Sequence, residues 1–478
     1  VPRADSEGGL GTASKYWAAA YIDAINTTGD ITVGSTYNTV YSNDGFTFTT
    51  NQDYNIASGS NKIIDLHFNE IKLYTADTKR FEINSSGVGI FAGAVTATSF
   101  NGIPFYSDSS VASMYTHDVS GTDNDANGNT GYGFNSLDSI TTGDYNTAIG
   151  HQAGKNINSG NSNTIVGRHA GDALTTGDNN IAIGMGALSS EDTGSRNVAV
   201  GKAALSNQNV DGNAYNVAVG YEAGANITTG IQNTILGGLA GDALTKGDSN
   251  VAIGYAALSA EDGHGKNVAI GYRSLTSQDA GANAYNIAIG FDSGRFISTG
   301  TNNTVIGGFA GDALTSGNNN TALGYSTLGA ETLGDRNVAI GNFALQVQNN
   351  TSNADVYNTA VGYAAGSSVT TGTNNTLVGG LVGDALTTGS SNTALGYNSL
   401  TQATIASNNV AIGRQALEAN ILTDRNVAVG MGALQQFVGD GSTSNQTTFN
   451  VGVGYNAGKQ LTTGTLNTLI GGLAGDAL

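Results

Sequence analysis

The side chains able to do chemistry are few and thinly spread. Five histidines occur, His67, His117, His151, His169 and His264, and none lies four residues from another. His151 and His169 fall in adjacent units of the repeat described below, where a shared metal is chemically reasonable. Two exposed polar side chains explain them equally, and that is the expectation. Asp172, Asp242, Asp312, Asp384 and Asp476 recur in a Gly-Asp-Ala-Leu motif. They suggest calcium, but successive copies are four or five units apart, roughly 20 Å or more at the stacking rise of β-strands. No Asp-x-Asp-x-Asp-Gly loop or calcium nonapeptide supports the ion. Capping of a corner by the carboxylate is expected instead. Carboxylate pairs such as Glu191-Asp192 and Glu261-Asp262 recur at one place in the repeat. A glycosidase needs two carboxyl groups roughly 5–10 Å apart on one substrate, whereas adjacent residues of a strand or loop diverge. No phosphate loop, nucleophile elbow or zinc motif is present. The chain is expected to be no enzyme and to hold no cofactor or metal. Tyr215, Tyr285, Tyr357 and Phe449 end the four longer loops. They are candidates for surface recognition, because aromatic faces stack on sugars; capping of the coil beneath is the competing role.

These residues are positioned by a repeat. From Asn129 onward, Asn opens 20 units, at 17-residue spacing in most steps, with longer steps of 19 before Asn216 and Asn286, 21 before Asn358 and 24 before Asn450. Every unit has Gly four residues after the Asn, as in Asn197/Gly201, Asn216/Gly220 and Asn250/Gly254. Identical amides stacked in register can donate and accept along a column. The glycine fits a corner with positive φ or close backbone approach. Both roles are structural.

A higher order overlies the unit. Eight residues after the Asn stands either Gly or Leu, mostly in blocks of two Gly units followed by two Leu units. Where it is Gly, the residue three further on is aliphatic, as at Ile157, Leu174, Ile227, Leu244, Ile297 and Leu314. Where it is Leu, that later residue is usually polar, as at Glu191, Gln208, Glu261, Gln278, Glu331 and Gln348. Interior volume must be filled once, neither left void nor filled twice. One aliphatic plug per coil, inserted by two alternative corner geometries, is the expectation.

A stretch such as Val198-Ala199-Val200 is β-rich and too short for a helix, and the Thr-Thr-Gly segments are turns. One short strand plus turns per unit is the pattern of a β-solenoid or β-roll. Twenty coils stacked at about 4.8 Å give a rod of about 95 Å. Composition agrees: Gly 70, Pro 2, no Cys and 12% charged residues exclude collagen, disulfide scaffolds and long coiled coils. A formal net charge of −19 opposes binding to nucleic acid or an anionic membrane, and no apolar run is long enough to span a bilayer. Ala and Val/Ile stand side by side in the strand, so both its faces are apolar where a half-solvated strand would alternate. The second face is expected to meet other chains. The fold class expected is therefore all-β: an elongated parallel homotrimeric fibre, with a β-solenoid or β-prism of about 20 coils of 17 residues. A monomeric solenoid is the less favoured form. Residues 1–105 are expected to form interwoven β-modules with a short helix between Ser14 and Ala24, 106–128 a linker, and 129–478 the repeat. The chain begins Val1-Pro2-Arg3 and stops inside a motif at Leu478, which reads as a piece of a longer protein.

Units such as NVAVGYEAGANITTGIQNTILG (216–237) resemble the head repeats of trimeric autotransporter adhesins, and still more the repeats of phage tail-fibre and virion fibre proteins. The segments GGLGTASKYWAAAYIDAINTTGDITVG (8–34) and GAVTATSFNG (93–102) are similar to shaft segments of phage tail fibres. The resemblance implies a homotrimeric structural shaft located on a virion. It would bind tail or baseplate proteins and hold a receptor-binding end toward a host-surface glycan or protein. The alternatives are the head of a bacterial surface adhesin, whose unit is usually shorter than this one, and a fibre with a polysaccharide-depolymerase tip.

Overall fold

The computed structural model describes residues 71–75, 78–83, 89–91, 99–100, 103–104, 106–108, 113–116, 125–440 and 443–478. The helix expected between Ser14 and Ala24, and the segment 8–34, lie outside the described residues. The chain divides into two units, Val1–Val95 and Thr96–Leu478. In the first, strands Ile71–Thr75, Thr78–Ile83 and Gly89–Phe91 form an antiparallel meander, with Ile71 opposite Ile83 and Phe81 opposite Phe91.

The second unit starts with two antiparallel hairpins, Ser99–Phe100 with Ile103–Pro104 and Tyr106–Asp108 with Ser113–Tyr115. Residues 106–128, expected as a linker, thus contain two strands. Ser113–Tyr115 then pairs in parallel with Thr130–Tyr132, the first strand of the repeat. From there, 20 three-residue strands follow, ending at Thr468–Ile470. Each occupies the residues between the unit's Asn and its Gly, and each pairs in parallel with its counterpart one coil later. Val198 lies opposite Val217, Ala199 opposite Ala218 and Val200 opposite Val219. Equal positions still pair across the longest step, where Val427 meets Val451. The extra residues are therefore looped out rather than absorbed as a register slip, which would turn every side chain to the other face. Gln446–Thr447 of that loop pairs in parallel with Thr423–Asp424 of the preceding coil. The repeat region is an all-β parallel solenoid of about 20 turns, with no helix among the described residues.

In 19 of the 20 strands the middle residue is buried, and the residues on either side are half-buried or exposed. The middle residue, usually alanine, faces the interior. A second buried column follows seven residues after the Asn, at Ala153, Ala170, Ala187, Ala204 and their equivalents. The remaining volume is filled by the Leu or aliphatic plugs. Leu188, Leu205, Ile227, Leu244 and their counterparts up to Leu434 are fully buried, each contributing about 1.5–3 kcal/mol of burial.

The plug does not use two corner geometries. Leu205 and Gly224 occupy equivalent positions and share one left-handed backbone, with φ of 49° and 57°. The difference lies in the side chain that fills the space. A Cβ on Gly224 would meet Ile227 Cδ1 and Ile235 Cδ1, both at 3.0 Å. Where the corner residue is Leu, it fills that space itself, and burial offsets the roughly 1–2 kcal/mol cost of a left-handed non-glycine residue.

Candidate functional site

The asparagine column is buried from Asn129 to Asn450, as at Asn197, Asn216 and Asn250, and half-buried at Asn467. Its main link runs from side chain to backbone. The Asn180 Oδ1 accepts from the Asn197 amide (3.0 Å), Asn197 Oδ1 from the Asn216 amide (3.2 Å) and Asn233 Oδ1 from the Asn250 amide (2.9 Å). Some coils add the side-chain link, as where Asn197 Nδ2 donates to Asn180 Oδ1 at 3.1 Å. The Nδ2 also reaches the carbonyl of the coil's far corner; Asn216 Nδ2 donates to Gly230 O at 2.7 Å. The column thus pairs backbone groups that would otherwise be buried without partners. The neighbouring glycine is dictated twice over. Gly201 has φ 139°, and a Cβ there would collide with the carbonyl oxygen of Gly220 in the next coil. Gly220 and Gly254 stand in the same situation.

Beside this column runs a second set of buried polar groups that sequence reasoning missed. Glu191, Gln208, Glu261, Gln278, Glu331 and Gln348 are all fully buried. The alternation of Glu and Gln was visible, but glutamate is almost never buried unless paired, so polarity alone does not mark these positions as interior. Glu191 Oε1 accepts from the Gly194 amide (2.7 Å), and its Oε2 accepts from Gln208 Nε2 (2.8 Å) and the Val210 amide (3.2 Å). Gln208 Oε1 in turn accepts from Asn216 Nδ2 at 2.8 Å, which joins the network to the asparagine column. Burial pushes the Glu191 carboxyl above its usual range, against the opposing donors Gln208, Gly194 and Val210. Glu331 repeats the arrangement with Gln348 Nε2 (2.8 Å), the Gly334 amide (2.8 Å) and Asn350 Nδ2 (3.0 Å). The adjacent Asp192 is only half-buried and Asp262 is exposed. Each carboxylate pair therefore diverges, one member into the core and one toward solvent.

Tyr215, Tyr285, Tyr357 and Phe449 are half-exposed and left-handed. Each ring carries a cation from the preceding coil on its face: Arg196, Lys266, Arg336 and Arg425, at 5.6, 5.3, 5.7 and 5.6 Å from the centroids. Arg196 Nη1 also donates to the Tyr215 hydroxyl at 2.7 Å. These contacts hold the rings against the coil beneath. Four or five coils separate one from the next, so one chain does not bring them together.

A second aromatic column was not anticipated. Tyr255, Tyr272, Phe291, Phe309, Tyr325, Phe343 and Tyr363, two or three residues past seven consecutive strands, stack at centroid distances of 5.2 to 6.0 Å. Its sequence signal was an aromatic residue recurring just after the corner glycine. Among the histidines, His151 stacks on Phe134 and meets His169 edge to face at 5.4 Å. His169 Nδ1 lies 3.0 Å from Asp172 Oδ2. Of the other Gly-Asp-Ala-Leu aspartates, Asp384 accepts from the Thr401 hydroxyl, and burial pushes the Asp242 and Asp312 carboxyls up. No helix of the described residues is long and apolar enough to cross a membrane. The chain matches no family model, no curated protein and no solved structure.

Proposed function

We propose that this chain is a shaft segment of a homotrimeric phage tail fibre, which spaces a receptor-binding end from the virion for attachment to the host. The observation that carries the reading is the in-register ladder of 20 coils whose third strand residue faces outward and stays apolar. Ile183, Val217, Leu236, Ile287, Leu323 and Leu395 point away from the core and are exposed in the single chain. A rod that works alone gains nothing from a long apolar outer face, and large exposed apolar patches mark association sites. Three copies related by a threefold axis would cover it. Most of the buried polar groups are engaged in hydrogen bonds between successive coils, as at Asn197 and Glu191, so the reading assigns the segment a mechanical role and no turnover.

Sedimentation equilibrium of the purified chain tests the assembly. The expected mass is about three times 48.3 kDa; a mass equal to one chain would sink the trimer. Immunogold labelling tests the location, with label expected on the tail fibres of virions. Label confined to a bacterial envelope would favour the adhesin instead. Release of sugar from host polysaccharide by this segment alone would overturn the non-enzymatic role.

A further inference from the structure

The three buried glutamates are not equivalent. Three residues after the glutamate stand Gly194, His264 and Gly334, and one residue after the following glutamine stand Asn209, Asp279 and Asn349. Only the middle copy has a metal-ligating side chain at both places. In that copy Glu261, Asp262, His264 and Asp279 each contribute one ligating atom, and the four atoms lie within 4.8 Å of one another.

Hydrogen bonding around the cluster is broken in a way that the sister copies do not share. Gln278 Nε2, whose counterparts donate to Glu191 and Glu331, turns instead to Ser298 O at 3.0 Å. Glu261 keeps only the His264 amide, on Oε1 at 3.0 Å. Its Oε2 is buried with no partner, and so is His264 Nδ1, which lies 3.5 Å from Glu261 Oε1 without hydrogen-bond geometry. Glu261 is fully buried. A cation would satisfy at once a buried carboxylate oxygen and a buried imidazole nitrogen that are both without donors and face two further carboxylates.

We propose that Glu261, Asp262, His264 and Asp279 form a structural site for a first-row divalent cation of the zinc type. Imidazole with carboxylates suits zinc and its neighbours, whereas calcium takes six to eight oxygens. Tetrahedral ligands at zinc distances stand about 3.3 Å apart, so closure asks the cluster to contract by up to about 1.5 Å from its 4.8 Å spread. Exposed Asp262 and Asp279 can supply this by rotating. Four protein ligands leave no open position, as in structural rather than catalytic zinc sites. The ion would tie the corner of the coil that opens at Asn250 to the coil that opens at Asn267, replacing the lost Glu–Gln hydrogen bond.

The test is calorimetric titration of the tag-free full chain, stripped with chelator, using Zn2+ and Ca2+ separately. Thermal melts with and without Zn2+ accompany it. One Zn2+ per chain is expected, with a raised melting temperature. The double variant His264→Gly with Asp279→Asn installs the residues of the sister coils, so it should fold as they do. It is expected to bind Zn2+ at least tenfold more weakly and to lose the thermal shift, while its metal-free melting temperature stays unchanged or rises. Absence of stoichiometric Zn2+ uptake, equal affinity in the double variant, or preference for Ca2+ would each overturn the assignment.

Discussion

Glu191 places a carboxylate in the interior, and the balance of forces on it is readable. Desolvation raises its pKa above the ordinary 4.5, while donors from Gln208, Gly194 and Val210 pull the other way without prevailing. A carboxyl that holds its proton more tightly when folded stabilises the fold below its unfolded pKa. That contribution is lost as the pH rises through the raised folded value. Relative to Glu191→Gln, the wild type should therefore lose protection as the pH rises from below the ordinary 4.5 through the raised folded value. Hydrogen exchange at the Gly194 and Val210 amides, corrected for intrinsic rates, reads this locally; a gap that stays constant or widens in favour of the wild type refutes it. The asparagine column gives a second expectation at this scale. Asn216→Ala strips partners from the Asn233 amide, Gly230 O and Gln208 Oε1. Leaving three buried groups unpaired should cost about 3 kcal/mol or more. Denaturant unfolding followed at the neighbouring coils would measure it, and a cost below about 1 kcal/mol would show that water replaces the amide.

At the scale of one coil, the plug explains why Gly and Leu alternate on a single backbone. Gly224→Leu meets a permissive φ but an occupied space, since Ile227 and Ile235 already fill it. Overpacking should cost about 1–3 kcal/mol. Adding Ile227→Ala frees that space, so the pair should be less destabilised than the Gly224→Leu single variant, a non-additivity expected of side chains in contact. Additive costs in unfolding experiments would mean that the two side chains do not compete. The same coil shows what the sequence revealed and what it hid. Coil length, strand position and parallel register were legible, because identical residues at fixed spacing leave few geometries open. The shared corner was hidden, because a left-handed leucine is rare enough that two geometries looked more economical. The buried glutamates were hidden because their polarity points outward by default. The cluster around Glu261 was hidden for a topological reason: His264 and Asp279 come from successive coils, 15 residues apart, at no recurring metal spacing.

Across the whole solenoid, the outer face and the net charge oppose each other. The stacked rings from Tyr255 to Tyr363 and the outward Val, Ile and Leu of the strands favour association, while each chain brings a formal charge of −19 to the assembly. If three chains pack through this face, the trimer should weaken as salt is lowered, because repulsion between like-charged chains is screened less. Placing charge inside the face should break it more directly. Tyr272 and Phe291 stack at 5.2 Å in adjacent coils, both exposed in the single chain. Neither contributes to the interior, so Tyr272→Glu with Phe291→Glu should leave the β-content of each chain intact. In an assembled rod the two carboxylates would be buried against a partner without compensation, which costs several kcal/mol. Repeated on three chains, that exceeds what a local stretch of interface returns, and the expected result is a shift in sedimentation from trimer toward single-chain mass with an unchanged circular dichroism spectrum. A trimer that survives both substitutions would place the chain–chain contact on another face of the coil, and the apolar columns would then need a different partner.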